Sequence, residues 1–472
     1  MTATQNYLSK LPLEILDTII SDLDEHSDLI ALALASKAVS RLVIPRHSEY
    51  RVLRIRHRFP GLWAHLAKRA DLSRNLREIH VFSQKAANSN FSEHYPLTLV
   101  SSAALPSGTL TDLLKEEEER VGNVLTVMGY TQRLEAFQWD FRYAHMNADQ
   151  EIQLISTLSG IPSVSQLVLA GELRCLAPSS DSHVFQMAWN MPNLHDLTLM
   201  GNIWSAPATA LSLKHVLKQS IQLKRLQIPI EAISICDFII PTLRQLSLFL
   251  QSGTTVRVIK QWNTFLENHP LLEDLWCNPS STMVLPRNGL VKLKRLSVER
   301  NFIDSFRDAE HVPASLECLQ YSSFNFRDGV LSRCNFKNLR KLYLSSVAGE
   351  DELSAIAASC PALNWLHIVE CVKFELNIWL DFLSSFPGLE VFRGPGIWIS
   401  IDEDNDRMHM AIMQVVQRCP NLRELDHRNV HGRSRKTIVI IKEQREDGLH
   451  VRYEIQRPRS RGQVYLMDDT FT

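Results

Sequence analysis

The residue types in this sequence that support chemistry do not combine into a recognised catalytic motif. Neither a phosphate-binding GxxxxGK(S/T) loop nor a GxGxxG, HExxH or GxSxG sequence occurs in the 472 residues. The acidic run at 402–406 imitates the start of a calcium loop, but Arg407 stands where that loop requires glycine and Met413 where it requires glutamate. We therefore expect no catalytic residue, no metal site and no cofactor, and we predict that the protein is not an enzyme.

The cysteines do not follow a disulfide or zinc-binding pattern either. No two of them form a CxxC pair, and several fall at apolar positions of the sequence. This distribution favours buried free thiols over disulfides or zinc ligands. The eight cysteines are Cys175, Cys236, Cys277, Cys318, Cys334, Cys360, Cys371 and Cys419.

The remaining chemistry is that of binding, and it lies in short segments with the pattern L-x-x-L-x-(apolar). The residues that flank the last two apolar positions of such a segment point away from the core, onto the exposed face of a sheet. Aromatic and arginine side chains dominate the energetics of protein interfaces. The candidates for binding a target protein at these positions are Trp276, Arg295, Lys341, Tyr343, Trp365 and His367. Arg393 also falls on this face. Two alternatives stay open: neighbouring loops cover the tryptophans, or the basic residues merely solvate the surface.

These segments are copies of one repeat, of which residues 360–368 are the clearest. From Val164 to Leu422, the first apolar positions of successive copies lie 20 to 33 residues apart, which straddles the spacing of about 20–29 residues in leucine-rich repeats. Tyr50 starts one more possible copy. The first apolar positions of the copies are Leu76, Leu134, Val164, Leu194, Leu223, Leu243, Leu272, Leu293, Leu316, Leu339, Leu363, Leu389 and Leu422.

The repeat predicts a short strand followed by a segment that returns to start the next strand. One unit cannot bury its own leucines, so the units stack into a solenoid with a shared core. The alternative, that L-x-x-L belongs to ordinary amphipathic helices, is disfavoured because the spacing changes to period two at the third apolar position. We predict an α/β fold: an N-terminal helical module, then a leucine-rich-repeat solenoid with a parallel sheet on its concave face and helices on its convex face.

Composition narrows the classes of partner. The chain is 45% apolar and 22% charged, as expected for a soluble globular protein. Its 51 basic and 52 acidic residues nearly cancel, so bulk charge gives no reason to expect nucleic acid or an anionic membrane as partner. The first ten residues lack a secretory signal pattern, and no apolar stretch approaches about 18 residues. We expect a cytoplasmic or nuclear protein.

Residues 8–48 differ from the repeats and predict a small group of helices. A helix opens near Leu11 with Pro12 in its first turn, and an apolar stripe follows along it. A second helix follows residue 28, and a third short one leads to Pro45. The apolar residues of the first two helices include Ile15, Leu16, Ile19, Ile20, Leu23, Leu29, Leu32 and Ala33.

This segment resembles the F-box, a helical module. The likeness is carried by L-P-x-E-I-L-x-x-I-I-x-x-L from Leu11 to Leu23 and by D-L-x-A-L-A-L-A-S-K-A-x-S-R from Asp28 to Arg41. The repeats that follow are similar to those of F-box proteins of the leucine-rich-repeat class, of the type found in fungi, as in the C-P-x-L starts at Cys360 and Cys419.

The resemblance implies a substrate-recognition adaptor of an SCF-type, cullin-based ubiquitin ligase. The F-box would dock on the adaptor subunit of the cullin complex, and the repeats would bind an unknown target protein. The implied adaptor-binding set, some of whose members must be internal to the module, is Leu11, Pro12, Ile15, Leu16, Ile19 and Leu32. In the alternative, the helices only cap the solenoid, and the protein is a ligase-independent leucine-rich-repeat scaffold that binds proteins. A repeat-built enzyme or enzyme inhibitor has no support beyond the shared fold.

The sequence divides into three predicted regions. Residues 1–48 form the F-box-like module, residues 49–430 the solenoid with an insertion near 83–125, and residues 431–472 a C-terminal hairpin cap and a mobile tail. Residues 50–58 alternate apolar and basic side chains, which predicts a first strand with its basic residues on one wet face. Asp447-Gly448 between two β-rich runs predicts the hairpin.

Overall fold

The chain forms two compact units, unit 1 (Met1–Ile235) and unit 2 (Cys236–Thr472). The acidic segment 402–404 and the tail after residue 456 lie outside the part of the chain that the structure describes. The structure, a computed structural model, describes residues 11–23, 26–44, 47–48, 50–56, 60–82, 96, 110–141, 146–177, 182–235, 239–249, 262–277, 285–286, 290–298, 312–321, 336–401, 405–428, 436–445 and 448–456.

Unit 1 begins with three short helices: α1 (Leu13–Ser21), α2 (His26–Ala35) and α3 (Lys37–Val43). Helix α1 starts one residue after Pro12, which occupies the N-cap. The side chain of Ser36 caps α3 by accepting a hydrogen bond from the backbone N–H of Val39. The helices share a small apolar core, which consists of Ile20, Leu29, Ala33, Val39 and Val43, with Leu23, Leu32 and Leu42 packed against it.

Six parallel strands of unit 1 follow, each paired with the next: β1 (Val52–Arg56), β2 (Glu78–Phe82), β3 (Ala136–Asp140), β4 (Gln166–Ala170), β5 (Asp196–Met200) and β6 (Arg225–Pro229). The register places one apolar residue of each copy beside the next, as with Leu167 and Leu197. Both side chains are buried. Because each strand shares its apolar neighbours with the strands on either side, the repeats bury together what none could bury alone.

Helices form the second layer of unit 1: α4 (Pro60–Lys68), α5 (Ala70–Ser73), α6 (Leu110–Tyr130), α7 (Ala148–Ser159), α8 (Ser182–Ala188) and α9 (Ala210–Gln219). Helix α6 lies beside α4 and α7, and α8 lies between α7 and α9. Strand β2 pairs directly with β3, although Leu76 and Leu134, the first apolar positions of these two copies, lie 58 residues apart. Of the expected insertion near 83–125, the described residues are 96 and those from 110 onward, in α6, where most of the acidic run is exposed.

Unit 2 continues the repeats with parallel strands β7 (Gln245–Phe249), β8 (Asp274–Cys277), β9 (Arg295–Val298), β10 (Cys318–Tyr321), β11 (Lys341–Val347), β12 (Trp365–Cys371), β13 (Val391–Arg393) and β14 (Glu424–Asp426). Its helices are α10 (Trp262–Glu267), α11 (Glu350–Ser359), α12 (Leu376–Ser384), α13 (Gly396–Ile399) and α14 (Asn405–Arg418).

An antiparallel hairpin, β15 (Thr437–Arg445) and β16 (Gly448–Gln456), pairs with β14 and ends the run of parallel strands. Arg393 fastens this end, because its guanidinium donates to Asp426 and Thr437, each at 3.2 Å, and to Glu424 at 2.5 Å. Arg393 is therefore buried, contrary to the expectation that it lies on the exposed face. Carboxylates and a hydroxyl satisfy the two terminal nitrogens of this buried guanidinium, whereas its Nε has no hydrogen-bond partner among the residues that the structure describes.

The predicted fold class is confirmed: the protein is an α/β leucine-rich-repeat solenoid with helices at its N-terminal end. The copies expected from Tyr50 to Leu422 each form a parallel strand. Among the described residues, no helix combines the length and the apolar character needed to cross a membrane.

Candidate functional site

The N-terminal helices expose large apolar side chains. Leu11, Ile15 and Ile19 are 37%, 48% and 41% exposed. The spacing of four residues puts Ile15 and Ile19 on one side of α1, and Leu11 lies two residues before the helix. On α2, Ile30 and Leu34 repeat the pattern, and Leu34 is 81% exposed. These five residues are called the apolar face below. Several large apolar side chains exposed within one small module mark interaction sites more often than the single exposed leucines that occur on most proteins.

The six residues implied to bind an adaptor divide by exposure. Pro12 is exposed, as are the α1 members of the apolar face. Leu16 and Leu32 are half-buried, and Leu32 packs against the core of the three helices. The set predicted from the sequence omitted Ile30 and Leu34, which are exposed on α2.

Buried Arg51 and His47, with half-buried Asp17, form a polar cluster that joins α1 to the first repeat. Arg51, just before β1, donates from Nη2 to the carbonyl oxygen of Ile20 at 2.5 Å and from Nη1 to that of Leu23, at the C-terminal end of α1. Nδ1 of His47 lies 3.4 Å from Arg51 Nη2, and its Nε2 lies 3.0 Å from Asp17 Oδ1. A cation at the C-terminal end of a helix is favourable because the last carbonyls carry partial negative charge. Arg51 is thus buried, not on the wet face of β1 as the alternation suggested.

On unit 2, four of the predicted target-binding residues lie together. Strands β11 and β12 place Lys341 beside Trp365 and Tyr343 beside His367. The His367 ring stacks edge to face on Tyr343, with centroids 4.8 Å apart, and on Trp365, with centroids 5.8 Å apart. His367 is 4% exposed, whereas both aromatic rings are half-buried and Lys341 is exposed. We call Tyr343, Trp365 and His367 the aromatic cluster, beside which Lys341 lies. Within the cluster, the buried His367 supports the other two rings.

The other two predicted target-binding residues lie apart from the aromatic cluster. Trp276 is half-buried on β8, three strands from Tyr343, which corresponds to about 14 Å at the usual strand spacing. Arg295 already forms a two-point ion pair with Asp274, with Nε to Oδ1 at 2.5 Å. Its charge is therefore largely used within the protein. The sequence did not reveal this pairing because the partner lies on the neighbouring strand.

The sheet face of unit 1 has a different chemistry. Glu78 accepts hydrogen bonds from Arg54 at 3.3 Å and from His80 at 3.2 Å, and His80 also lies 3.3 Å from Gln138. The hydrogen bond from His80 and the charges of His80 and Arg54 lower the pKa of the Glu78 carboxyl. Because these polar groups satisfy one another, this face offers fewer free groups for recognition than the aromatic cluster does.

Titratable groups elsewhere are buried within the fold, and their neighbours there hold them in place. Glu151, on α7, is 1% exposed and accepts a hydrogen bond from the backbone N–H of Cys175 at 2.8 Å. Burial raises the pKa of its carboxyl above the usual value. Burial also raises the pKa of the Cys360 thiol to about 12. The six described cysteines are free thiols, and all but the half-buried Cys371 are buried; Cys236 and Cys334 lie outside the described residues. In the described part of the chain, His, Cys, Asp and Glu form no group of three that could hold a metal ion.

Comparison with known proteins does not assign a family. No protein-family model matches the chain, and no curated protein matches it. A solved structure described as the crystal structure of the Rad7 and Elc1 complex in yeast is similar with a TM-score of 0.42 and 14% identity, over 84% of this chain and 92% of that chain. The crystal structure of the TLR13–ssRNA13 complex is similar with a TM-score of 0.30 and 13% identity, over 58% of this chain and 38% of that chain. Likenesses this distant assign no function.

Proposed function

We propose that the protein is a non-catalytic substrate-recognition subunit of an SCF-type, cullin-based ubiquitin ligase. The observation that carries the proposal is the apolar face of α1 and α2, which lies on the segment that resembles the F-box. Complete burial of a leucine or isoleucine contributes about 1.5–3 kcal/mol, so a partner that covers these partly exposed side chains gains part of that from each. The adaptor subunit of the ligase is the partner we propose for this face.

The repeats supply the other half of the proposed role. Half-buried aromatic rings beside exposed cations are the side chains that anchor protein partners. A target held on the repeats while the helices hold the adaptor would be kept near the ubiquitin-charged enzyme, which raises its effective concentration there. Arg51 and His47 contribute by fixing α1 against β1. This role requires the cytoplasm or the nucleus, where such ligases act, and it requires no cofactor.

A second candidate is a scaffold without a ligase role, in which the helices only cap the repeats. The observation that favours it is the polar cluster of Asp17, His47 and Arg51, which joins α1 to the first strand and would be useful in a cap alone. A cap, however, gives no reason to leave Ile15, Ile19 and Leu34 uncovered.

Affinity purification of the full chain from cells separates the two candidates. Under the ligase proposal, the adaptor subunit and the cullin co-purify with the wild-type chain and are lost with Ile15→Asp, because a charge in an apolar contact must be desolvated. The matched control is Leu211→Asp, on α9 of the same unit, where the leucine is also exposed. Recovery of neither subunit with the wild-type chain would leave the scaffold as the function.

A further inference from the structure

The exposed cations at the start of β11 differ from three other cations at strand starts of unit 2, Lys294, Arg295 and Arg423. Lys294 pairs with Glu273 at 2.9 Å, Arg295 with Asp274, and Arg423 with Glu390 at 3.8 Å. Arg340 and Lys341 are exposed, and neither forms an ion pair with any residue that the structure describes. An acidic partner on the neighbouring strand offsets each of these three charges, whereas the charges of Arg340 and Lys341 have no such partner among the described residues.

The aromatic cluster lies beside this charge. Lys341 and Trp365 face each other across the β11–β12 pair, and Tyr343 lies two residues further along the same face. The spacing of strands and of alternate residues gives a footprint of about 5 by 7 Å. That area suits two or three residues of a bound segment: one acidic side chain on the cations and one apolar side chain against the rings.

The cluster is also held in place before any partner arrives. His367 contacts both rings edge to face, with interplanar angles of 81° to Tyr343 and 80° to Trp365. Neither ring can turn without losing this contact. A surface that is already ordered loses less side-chain entropy on binding than a mobile one. Rigid aromatic side chains are therefore well suited to anchor a short segment.

We propose that Arg340, Lys341 and the aromatic cluster bind an unmodified acidic segment of a partner protein, in which Asp or Glu lies next to an apolar side chain. A carboxylate fits better than a phosphate here. Phosphate sites usually gather several arginines, whereas on this face Arg295 and Arg393 are already bound to Asp274 and Asp426. The claim that this segment belongs to a ubiquitination target rests on the proposed function. The chemistry inferred for the binding site is independent of that function.

The test is selection of peptides from a random 12-residue phage-displayed library on the purified full chain, followed by affinity measurement with the synthetic peptides. We expect enrichment of peptides with Asp or Glu adjacent to an aromatic or aliphatic residue. Changing that acid to its amide should weaken binding at least about tenfold, as should Lys341→Glu, a surface change that leaves the core intact. The matched control, Lys373→Glu, carries the same change of charge at another exposed lysine and should change affinity less than about twofold.

Trp365→Ala is a second variant, which should also weaken the selected peptides at least about tenfold, because the apolar anchor is removed. The inference is overturned if no peptide is enriched, if the enriched peptides lack acid, or if they bind Lys341→Glu and Lys373→Glu equally. Adaptor binding, measured on the same preparations, should be unchanged by Lys341→Glu, Lys373→Glu and Trp365→Ala. Loss of adaptor binding by the wild-type chain with acidic peptides still bound would refute the ligase role and leave this inference standing.

Discussion

The guanidinium of Arg51 donates a hydrogen bond of 2.5 Å to the carbonyl oxygen of Ile20, thirty-one residues earlier in the chain. Arg51 belongs to the first repeat and Ile20 to the end of α1, so this contact joins the N-terminal helices to the sheet of unit 1. Arg51 is therefore one of the side chains that set the orientation of α1 relative to the first strand, together with His47, which contacts Asp17.

Replacing this side chain should loosen α1. We expect Arg51→Met to lower the free energy of unfolding by about 1–3 kcal/mol, because the change leaves carbonyl groups of Ile20 and Leu23 without their charged donor. The rate of amide hydrogen exchange in α1 should also increase in this variant. Arg54→Met, at a half-exposed position paired with Glu78, is the control and should cost less than about 1 kcal/mol. Equal losses for the two variants would mean that the buried contact has no special role.

The repeat core can be tested at Leu342, which is 1% exposed and lies between Leu319 and Leu366 on the neighbouring strands. Leu342→Ala should lower the free energy of unfolding by about 2–5 kcal/mol, measured by chemical denaturation, because it removes apolar contacts and leaves a cavity. Lys341→Ala, one residue away on the opposite face, should stay within about 0.5 kcal/mol of the wild-type value. A loss under about 0.5 kcal/mol at Leu342 would contradict the register.

The sequence predicted the repeats because their signal is local. A leucine such as Leu342 is assigned to the core by the period-two pattern around it, without knowledge of distant residues. Arg51 and Arg393 were expected to be exposed because the same pattern alternates basic and apolar residues. Each is buried because its partners lie about thirty residues away in the chain, and no local pattern records such a contact.

The limits of local patterning explain what the sequence left open about burial at the candidate binding surfaces. The run A-L-A-L-A in α2 puts Leu32 and Leu34 on opposite sides of the helix, since two residues turn it by about 200°. Either leucine could have been the core residue, and only the packing of the three helices identifies Leu32. His367 was expected to be exposed by strand alternation, but Tyr343 and Trp365 cover it.

Glu151 should make stability depend on pH. Burial raises the pKa of its carboxyl in the folded state above the ordinary value of 4.5. As pH rises through 4.5, the unfolded chain loses this proton while the folded chain keeps it, so the folded state binds more protons and stability falls with pH until the folded group ionises. Below 4.5 both states are protonated and the effect disappears.

Glu151→Gln removes this ionisation while keeping an oxygen that can accept from the Cys175 N–H. Denaturation from about pH 5 to pH 8 should show the free energy of unfolding of the wild-type chain falling relative to that of Glu151→Gln. Glu116→Gln, at an exposed position of α6, should follow the wild-type curve. A constant difference between wild type and Glu151→Gln at every pH would show that the carboxyl does not titrate differently on folding.

The most direct test of the proposed role is the affinity of the purified full chain for a purified SCF adaptor subunit, measured by titration calorimetry. We predict that the wild-type chain binds, that Ile15→Asp combined with Ile19→Asp weakens binding at least about 100-fold, because two charges enter an apolar contact, and that Leu211→Asp leaves the affinity unchanged. Unfolding curves of the three proteins establish that they are folded. Absence of wild-type binding, or equal affinity of wild type and the double variant, would contradict the account.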